Sequence, residues 1–206
     1  SGARYTVGLA LASALTASAV GITIALFSVV SGRLIDEVIS RLMDAFISIP
    51  SKILALVIVA AFGSSIPLLY IVVAITYTPG AFRIARSLAV GQNEMEYVLV
   101  ARARGEGRAY IACIEIFPNI INPMLTDFGL RFIFAILLLS GLSFLGLGVQ
   151  PPFADLGSLV RENMSGLAEG ALAILAPSLA IATLTIGMNL TIDSLPHNDK
   201  KHGGEG

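Results

Sequence analysis

Long apolar stretches separated by short polar ones dominate this chain. A helix needs about 20 largely apolar residues to cross the hydrocarbon core of a bilayer. Three stretches meet that requirement plainly: Tyr5 to Val30, about Asn119 to Gly148, and about Ala171 to Ile192. Polar groups within the first of them are small hydroxyls, which bond back to the helix backbone. The pattern therefore predicts a polytopic, all-α membrane protein.

The middle of the chain admits two interpretations. Residues from Ile53 to Thr78 form either one long span or parts of two spans that meet at the turn-like sequence GSSIP, Gly63 to Pro67. With two spans, the earlier helix starts near Arg41, runs through Pro50 and ends near Phe62. The later helix then runs from Ile66 to about Ala89.

Charge placement favours two spans, because Lys and Arg concentrate on the cytoplasmic side of membrane proteins. Five spans with the N-terminus outside place only Arg4 and Arg161 outside. The cytoplasmic positive charges are then Arg33, Arg41, Arg83, Arg86, Arg102, Arg104, Arg108, Lys200 and Lys201. The prediction is one transmembrane domain, residues 1–193, and a cytoplasmic tail, residues 194–206.

The composition supports a membrane protein and argues against several functions. Hydrophobic residues make up 55% of the chain and charged residues 13%, with a mean hydropathy of +0.84. Soluble domains carry about 25% charged residues, so a lipid-facing surface is indicated. The net charge of −1 points to no nucleic-acid partner. Cys113 is the single cysteine, and both histidines lie in the tail, so we expect no disulfide, metal site or cofactor.

Two pairs of opposite charges fall within predicted spans. Asp44 and Lys52 are two turns apart, with Pro50 between them, and on a continuous helix they share a face. They either mark a transport pathway or extend to the cytoplasmic interface. Asp127 and Arg131 are four residues apart, at the spacing of a helical ion pair. They either line an aqueous cavity or satisfy each other.

The polar segment between the third and fourth spans predicts a helix–turn–helix in the cytoplasm. Its first helix is short and rich in small side chains, and Gly105 and Gly107 interrupt it. An amphipathic stripe follows, made of Tyr110, Ile111, Ile114 and Phe117. Pro118 is expected to stop this second helix. The pattern by itself indicates either a docking element for a partner protein or a membrane-surface helix without a partner.

This segment, EYVLVARARGEGRAYIACIEIFPN, resembles the coupling segment of binding-protein-dependent ABC importer permeases. A second motif, LSFLGLGVQPPFADLGSLV, is similar to a hallmark of the dipeptide, oligopeptide and nickel permease group, C-type subunit. The resemblance covers nearly the whole chain and implies a type I importer permease fold. It assigns ATPase coupling to the loop 91–118, and in particular to Glu96, Tyr97, Ala101, Arg102, Ala103, Gly105, Pro118 and Asn119.

The same resemblance implies partners and a role. These are a second permease subunit in a heterodimer, two cytoplasmic ATP-binding subunits, an extracytoplasmic solute-binding protein, and the lipid of the bacterial inner membrane. The chain has no phosphate-binding loop of the form G-x-x-x-x-G-K-[ST], so hydrolysis is expected of the partner and not of this chain. The extracellular loop 149–170 is expected to meet the binding protein or to close an outer gate.

The chain departs from the family pattern at several positions. Leu99 and Val100 stand where the pattern has an acidic residue and alanine, and Arg104 precedes the glycine. Phe117 replaces a leucine, and Leu139 stands where an acidic residue is common. The family's first N-terminal span is expected to be missing. An ion-driven secondary transporter and a non-transporting assembly protein are the alternatives, and copurification with an ATPase separates them from an importer.

Overall fold

The structure is a computed structural model, and it describes residues 2–150, 153–164 and 174–193. Within those ranges the secondary structure is helical, as the all-α prediction requires. The helices in chain order are α1 (Gly2–Ser31), α2 (Arg33–Ile47), α3 (Ser51–Phe62), α4 (Ile66–Asn93), α5 (Glu96–Ala103), α6 (Arg108–Tyr110), a π-helical segment (Ile111–Ile116), α7 (Phe117–Phe144), α8 (Leu156–Glu162) and α9 (Leu175–Asp193).

Three helices are long and apolar enough to cross a membrane. They are Ala3–Ser31, Ile66–Asn93 and Arg108–Phe144, the last of which joins α6, the π-helical segment and α7 into 37 continuous residues. The pair α2 and α3 supplies a fourth span if it is counted as one bent helix. The fifth predicted span corresponds to a shorter apolar helix, Leu175–Thr191. By length, the described residues therefore provide three spans, or four with the bent pair, and the fifth predicted span begins outside the described residues.

The second predicted span is broken. We expected one helix from Arg41 through Pro50 to Phe62, but α2 ends at Ile47 and α3 begins at Ser51, with a bend of 77° between them. Pro50 has no amide hydrogen, and its ring collides with the preceding helical turn, so a straight helix through it is strongly disfavoured. It instead precedes α3 with an extended backbone, at φ −55° and ψ 123°.

The predicted turn between α3 and α4 is present. Gly63 follows Phe62 with φ +89°, a conformation that glycine adopts without steric cost. Ser65 then caps α4, because its hydroxyl accepts a hydrogen bond from the Leu68 amide at 3.4 Å. These two residues separate the second and third membrane segments where the GSSIP sequence indicated.

The centre of the fold is the contact between α1 and α4. Small residues let the two backbones approach, as is common between membrane helices. Gly21 shows how close they come, since a Cβ atom there would lie 2.7 Å from the Phe82 backbone nitrogen. Farther along, the Thr16 and Tyr70 hydroxyls are 2.6 Å apart and share a hydrogen bond. Helix α7 packs against both helices and completes the core.

Helix α2 contacts α4 through an ion pair and through the half-buried side chains of Ile39 and Met43, which pack against the core. Arg86 Nε donates to Asp36 Oδ1 at 2.7 Å, and the second guanidinium nitrogen meets the other carboxylate oxygen. No residue of α2 is fully buried, and Leu34 is 80% exposed. One edge of this amphipathic helix is thus open to lipid or to a partner.

Helix α8 packs against the end of α7. Asp155 caps α8 by accepting the Ser158 amide at 2.8 Å, and its other carboxylate oxygen accepts the Ser143 hydroxyl. Gly157 lies directly against the Ser140 carbonyl, where a Cβ atom would collide. The Leu156 amide donates to Thr6 of α1 at 3.0 Å. Within the second sequence motif, Ser143 of the first part thus contacts Asp155 of the later part.

Candidate functional site

The first half of the loop 91–118 is helix α5, which packs by one face. Val98 and Ala101 are fully buried against α1, α4 and the π-helical segment. Leu99 and Val100 point away and are 53% and 56% exposed. Glu96 and Ala103 are exposed too, and Glu96 forms no ion pair among the described residues. The predicted coupling residues thus divide into a buried anchor and an open face.

A tight turn ends α5 at Gly105. The Gly105 amide donates to the Arg102 carbonyl at 3.0 Å, and the Glu106 amide donates to the Ala101 carbonyl at 3.1 Å. These two bonds define a Schellman motif, which requires a left-handed residue after the helix end. Gly105 has φ +85°, as the motif demands. Ala101, Arg102 and Gly105 therefore shape the turn through their backbones.

Side-chain hydrogen bonds tie the start of the loop to its end. The Tyr97 hydroxyl donates to Gln92 Oε1 at 2.5 Å and accepts from Asn119 Nδ2 at 3.3 Å. Asn119 also donates to the Glu115 carbonyl at 2.7 Å. Partial burial, followed by the nearby Glu115 carboxylate, raises the pKa of Tyr97, so the hydroxyl keeps its proton at neutral pH. The predicted residues Tyr97 and Asn119 are thus brought together.

Two arginines add to this loop. Arg102 Nη2 donates to Asn93 Oδ1 at 2.7 Å, which joins α5 to the end of α4. Arg104 lies 3.8 Å from the Glu115 carboxylate, with 58% of its side chain exposed. The loop is therefore closed on itself by polar contacts as well as by the buried apolar face of α5.

Pro118 does not stop the second helix, contrary to the prediction. The helix continues from Arg108 to Phe144, and Pro118 lies in the first turn of α7. A π-helical segment precedes it, in which the Phe117 amide donates to the Ala112 carbonyl, five residues back. Such wide turns change the register of the hydrogen bonds and accommodate irregular positions within a helix. The loop therefore joins the fourth span without a break.

The wide turn also changes the predicted amphipathic stripe. Ile111 is buried as expected, but Tyr110 and Ile114 are 38% and 56% exposed. Ala112 and Ile116 take the inward positions instead. The prediction assumed the regular α-helical period, which the π-helical hydrogen bonding interrupts.

Asp127 and Arg131 form a buried ion pair on α7. Arg131 Nε and Nη2 donate to the two Asp127 oxygens at 2.6 and 2.9 Å. The side chains are only 9% and 14% exposed. Arg131 Nη1 also donates to the Tyr77 carbonyl on α4 at 3.0 Å. The pair therefore braces α7 against α4, and Gly80 leaves room for the guanidinium, since a Cβ there would lie 2.7 Å from Nη1.

Asp44 and Lys52 do not share a helix face. Asp44 lies on α2 and Lys52 on α3, on opposite sides of the 77° bend, and both are exposed. The expectation of a shared face assumed a straight helix through Pro50. The two residues thus lie on different helical segments, and a role for them in a transport pathway stays a prediction.

Several contributors to the site were not expected from the sequence. The Tyr77 carbonyl of α4 binds Arg131 and Gly80 leaves room for it, although only the adjacent Pro79 and Gly80 signal an irregular helix there. Asp155, expected on an exposed loop, is 1% exposed and organises α8. Positions 151, 152 and 165–170 of that predicted loop lie outside the described residues.

The helices and the closed loop define a class: an α-helical membrane protein that carries a rigid helical loop ahead of a long span. The family model described as "Binding-protein-dependent transport system inner membrane component" matches residues 17–196. The chain belongs to this family, which agrees with the resemblance found in its two motifs.

Individual relatives are dipeptide permeases by name. The chain is 32% identical over 94% of its length to the dipeptide transport system permease protein DppC of Alkalihalophilus pseudofirmus, and covers 64% of that protein. It is 30% identical over 94% of its length to the di/tripeptide permease DppC of Pseudomonas aeruginosa, again covering 64%. The chain thus spans less than two thirds of the curated relatives it matches.

Solved structures share the fold. A chain of the MetNI methionine ABC transporter, in inward-facing conformations, superimposes with a TM-score of 0.74 at 13% identity, covering 93% of this chain and 91% of that one. An amino acid ABC transporter chain gives 0.62 at 22% identity, with coverage of 94% and 88%. At these identities the similarity establishes the architecture alone, and it agrees with the importer permease fold expected from the motifs.

Proposed function

We propose that this chain is a permease subunit of an ABC importer, forms half of a translocation pathway for peptides or similar small solutes, and receives movement from a cytoplasmic ATPase. The observation that carries this proposal is the closed loop 91–118, which continues into α7 without a break. Its family and its dipeptide-permease relatives support the same role.

The loop has the properties of a rigid transmitter. Val98 and Ala101 fix α5 on the membrane domain, the Schellman turn at Gly105 fixes its end, and the Tyr97–Asn119 contact fixes the loop to α7. A force on the exposed face of α5 would therefore move α7 with it. Coupling of this kind needs two arrangements of the spans, whose equilibrium nucleotide binding to the partner shifts.

The proposed orientation follows from charge. Placing the loop in the cytoplasm also puts most of the arginines and lysines there, as the positive-inside tendency requires. The C-terminus is then cytoplasmic as well, and α8 lies outside, where it meets the solute-binding protein or the outer gate. A second permease subunit would complete the pathway, and two ATP-binding subunits would dock beneath the pair. Hydrolysis belongs to those subunits, so this chain is not proposed to be an enzyme.

Copurification tests the proposal. The tagged chain is expressed in its own organism, extracted in a gentle detergent, and its partners are identified by mass spectrometry. We expect an ATP-binding subunit and a second permease in stoichiometric amounts. The variant Val98→Asp places a charge in the buried anchor of α5. We expect it to lose the ATPase while the chain still inserts into the membrane. A chain that purifies without any ATPase would contradict the importer and favour a secondary transporter or an assembly protein.

A further inference from the structure

Two cavities follow one another along α1. The first is a largely apolar groove of about 460 Å³ between α1 and the continuous helix Arg108–Phe144. Its α1 wall runs from Leu15 to Leu26, and it is open to the outside, since Leu15 is 52% exposed. Val29 and Val30 follow Leu26 at helical spacing and therefore lie on the same face of α1. They line the second cavity, which also measures about 460 Å³.

The groove has the depth of one leaflet of a bilayer. Helix α1 contains 30 residues and is about 45 Å long, which matches the thickness of a bilayer with its headgroups. Leu15 lies at the middle of α1, and Leu26 lies about 16 Å farther along the axis. That distance is about half of a 30 Å hydrocarbon core. The second cavity, at the end of α1, thus falls at the level of the lipid headgroups.

The second cavity carries more positive than negative charge. Arg102 and Arg108 line it together with one acidic residue, Glu106. Arg102 donates to Asn93, which is neutral. Within the described part of the chain, Arg108 and Glu106 form no ion pair. Two guanidinium groups against one carboxylate leave one positive charge uncompensated.

We propose that an anionic phospholipid, such as phosphatidylglycerol, binds here, with an acyl chain in the groove and its phosphate at Arg102 and Arg108. An amphiphile accounts for both cavities, because an apolar groove of leaflet depth ends beside an excess of positive charge. A headgroup of net charge −1 compensates that excess, whereas phosphatidylcholine brings a cation of its own. Basic pockets between membrane helices on the cytoplasmic side recognise phospholipid headgroups in this way. The site goes beyond the proposed function, which requires no particular lipid.

Native mass spectrometry of the purified protein tests the site. The protein, with the partners that copurify, is mixed in detergent with equal amounts of phosphatidylglycerol and phosphatidylcholine that carry the same acyl chains. The lipids bound to this chain are then counted. We expect phosphatidylglycerol to be favoured about fivefold, the preference that one basic residue confers at an anionic surface.

Variants of the charged cavity assign this preference to Arg108. Arg108→Gln removes the uncompensated charge and should abolish the roughly fivefold preference, whereas Arg108→Lys should retain it. Arg104→Gln is the matched control, because Arg104 lies 3.8 Å from the Glu115 carboxylate and does not line the cavity. This control should favour phosphatidylglycerol as the parent protein does.

Variants of α1 test the groove. Ala19 lines the groove, so the larger side chain of Ala19→Phe should reduce binding of both lipids. Val20→Phe is the control, because Val20 is 41% exposed and lies outside the groove. It should bind both lipids as the parent protein does.

Four results would overturn the inference. Three are equal retention of the two lipids by the parent protein, equal losses in Arg108→Gln and Arg104→Gln, and equal losses in Ala19→Phe and Val20→Phe. The fourth is release of bound phosphatidylglycerol by inorganic phosphate, which would show that the cavity binds free phosphate. The measurement requires neither an ATPase nor a solute, so its failure is separate from failure of the copurification test.

Discussion

Replacement of Gly105 tests whether the turn after α5 transmits movement. Gly105 has φ +85°, and a Cβ atom added there would meet no atom within 4 Å. The cost of Gly105→Ala is thus conformational and not steric. A left-handed backbone costs a residue with a side chain about 1–2 kcal/mol. This energy lowers the equilibrium constant for the closed turn by about 5- to 30-fold.

Hydrogen exchange measures that change directly. The Glu106 amide donates across the turn to the Ala101 carbonyl, so its protection should fall by the same factor in Gly105→Ala. Gly107→Ala is the matched control, because Gly107 has φ −72° and equally open surroundings. The exchange protection of the Glu106 amide should not fall in the Gly107→Ala variant.

Transport assays in proteoliposomes give the functional result. Gly105→Trp combines the same strained backbone with a large ring on the side where the ATPase is proposed to dock. We expect ATP hydrolysis without solute uptake, while membrane insertion remains normal. Uptake at the parent rate in Gly105→Trp, or equal loss of protection in the Gly105 and Gly107 alanine variants, would refute a coupling role for this turn.

Two further predictions concern packing and pH. Gly21→Ala places a methyl group 2.6 Å from the Ala81 side chain and against α4 backbone, so overpacking of about 1–3 kcal/mol should lower the apparent melting temperature in detergent. Gly8→Ala is the control, because Gly8 lies in open surroundings on the same helix, and this variant should not lower the melting temperature. Equal shifts in the two variants would show that α1 and α4 are not closely packed. The pKa of Tyr97 is raised in the folded protein, so its contribution to loop stability is fully present below about pH 10 and is lost as the pH rises through the higher folded-state pKa. Hydrogen exchange of the loop amides from pH 8 to 11 measures this loss of loop stability. Tyr97→Phe should remove the pH-dependent component. The same alkaline loss of protection in Tyr97→Phe would exclude Tyr97 as the source of the pH dependence.

The long spans could be predicted from the sequence because membrane crossing imposes a length and a composition that short windows reveal. The turn at Gly63 was predictable from the same logic, since glycine and serine interrupt an apolar stretch there. The break at Pro50 was misjudged, although proline marks it. Hydropathy alone does not distinguish a kinked span from two helices at 77°, because both bury the same residues in lipid.

Prediction of the candidate site was less complete, for a related reason. The charge spacing of Asp127 and Arg131 made an ion pair one of two expectations, since four residues on a helix bring side chains together. Their contact with Tyr77 on α4 depends on which helices become neighbours, and no local pattern encodes that. The π-helical segment could not be predicted from the regular helical period either, because its hydrogen bonds shift the inward face from Ile114 to Ile116.

The unbroken helix from Arg108 to Phe144 has a mechanical consequence. Its 37 residues make a rod about 55 Å long, with the closed loop at one end and α8 packed against the other. A 10° tilt about the loop end would displace the far end on the order of 10 Å. Ser140 and Ser143 lie near that far end and hold Gly157 and Asp155. A small tilt of this helix as one body would thus be enlarged at the end that meets α8.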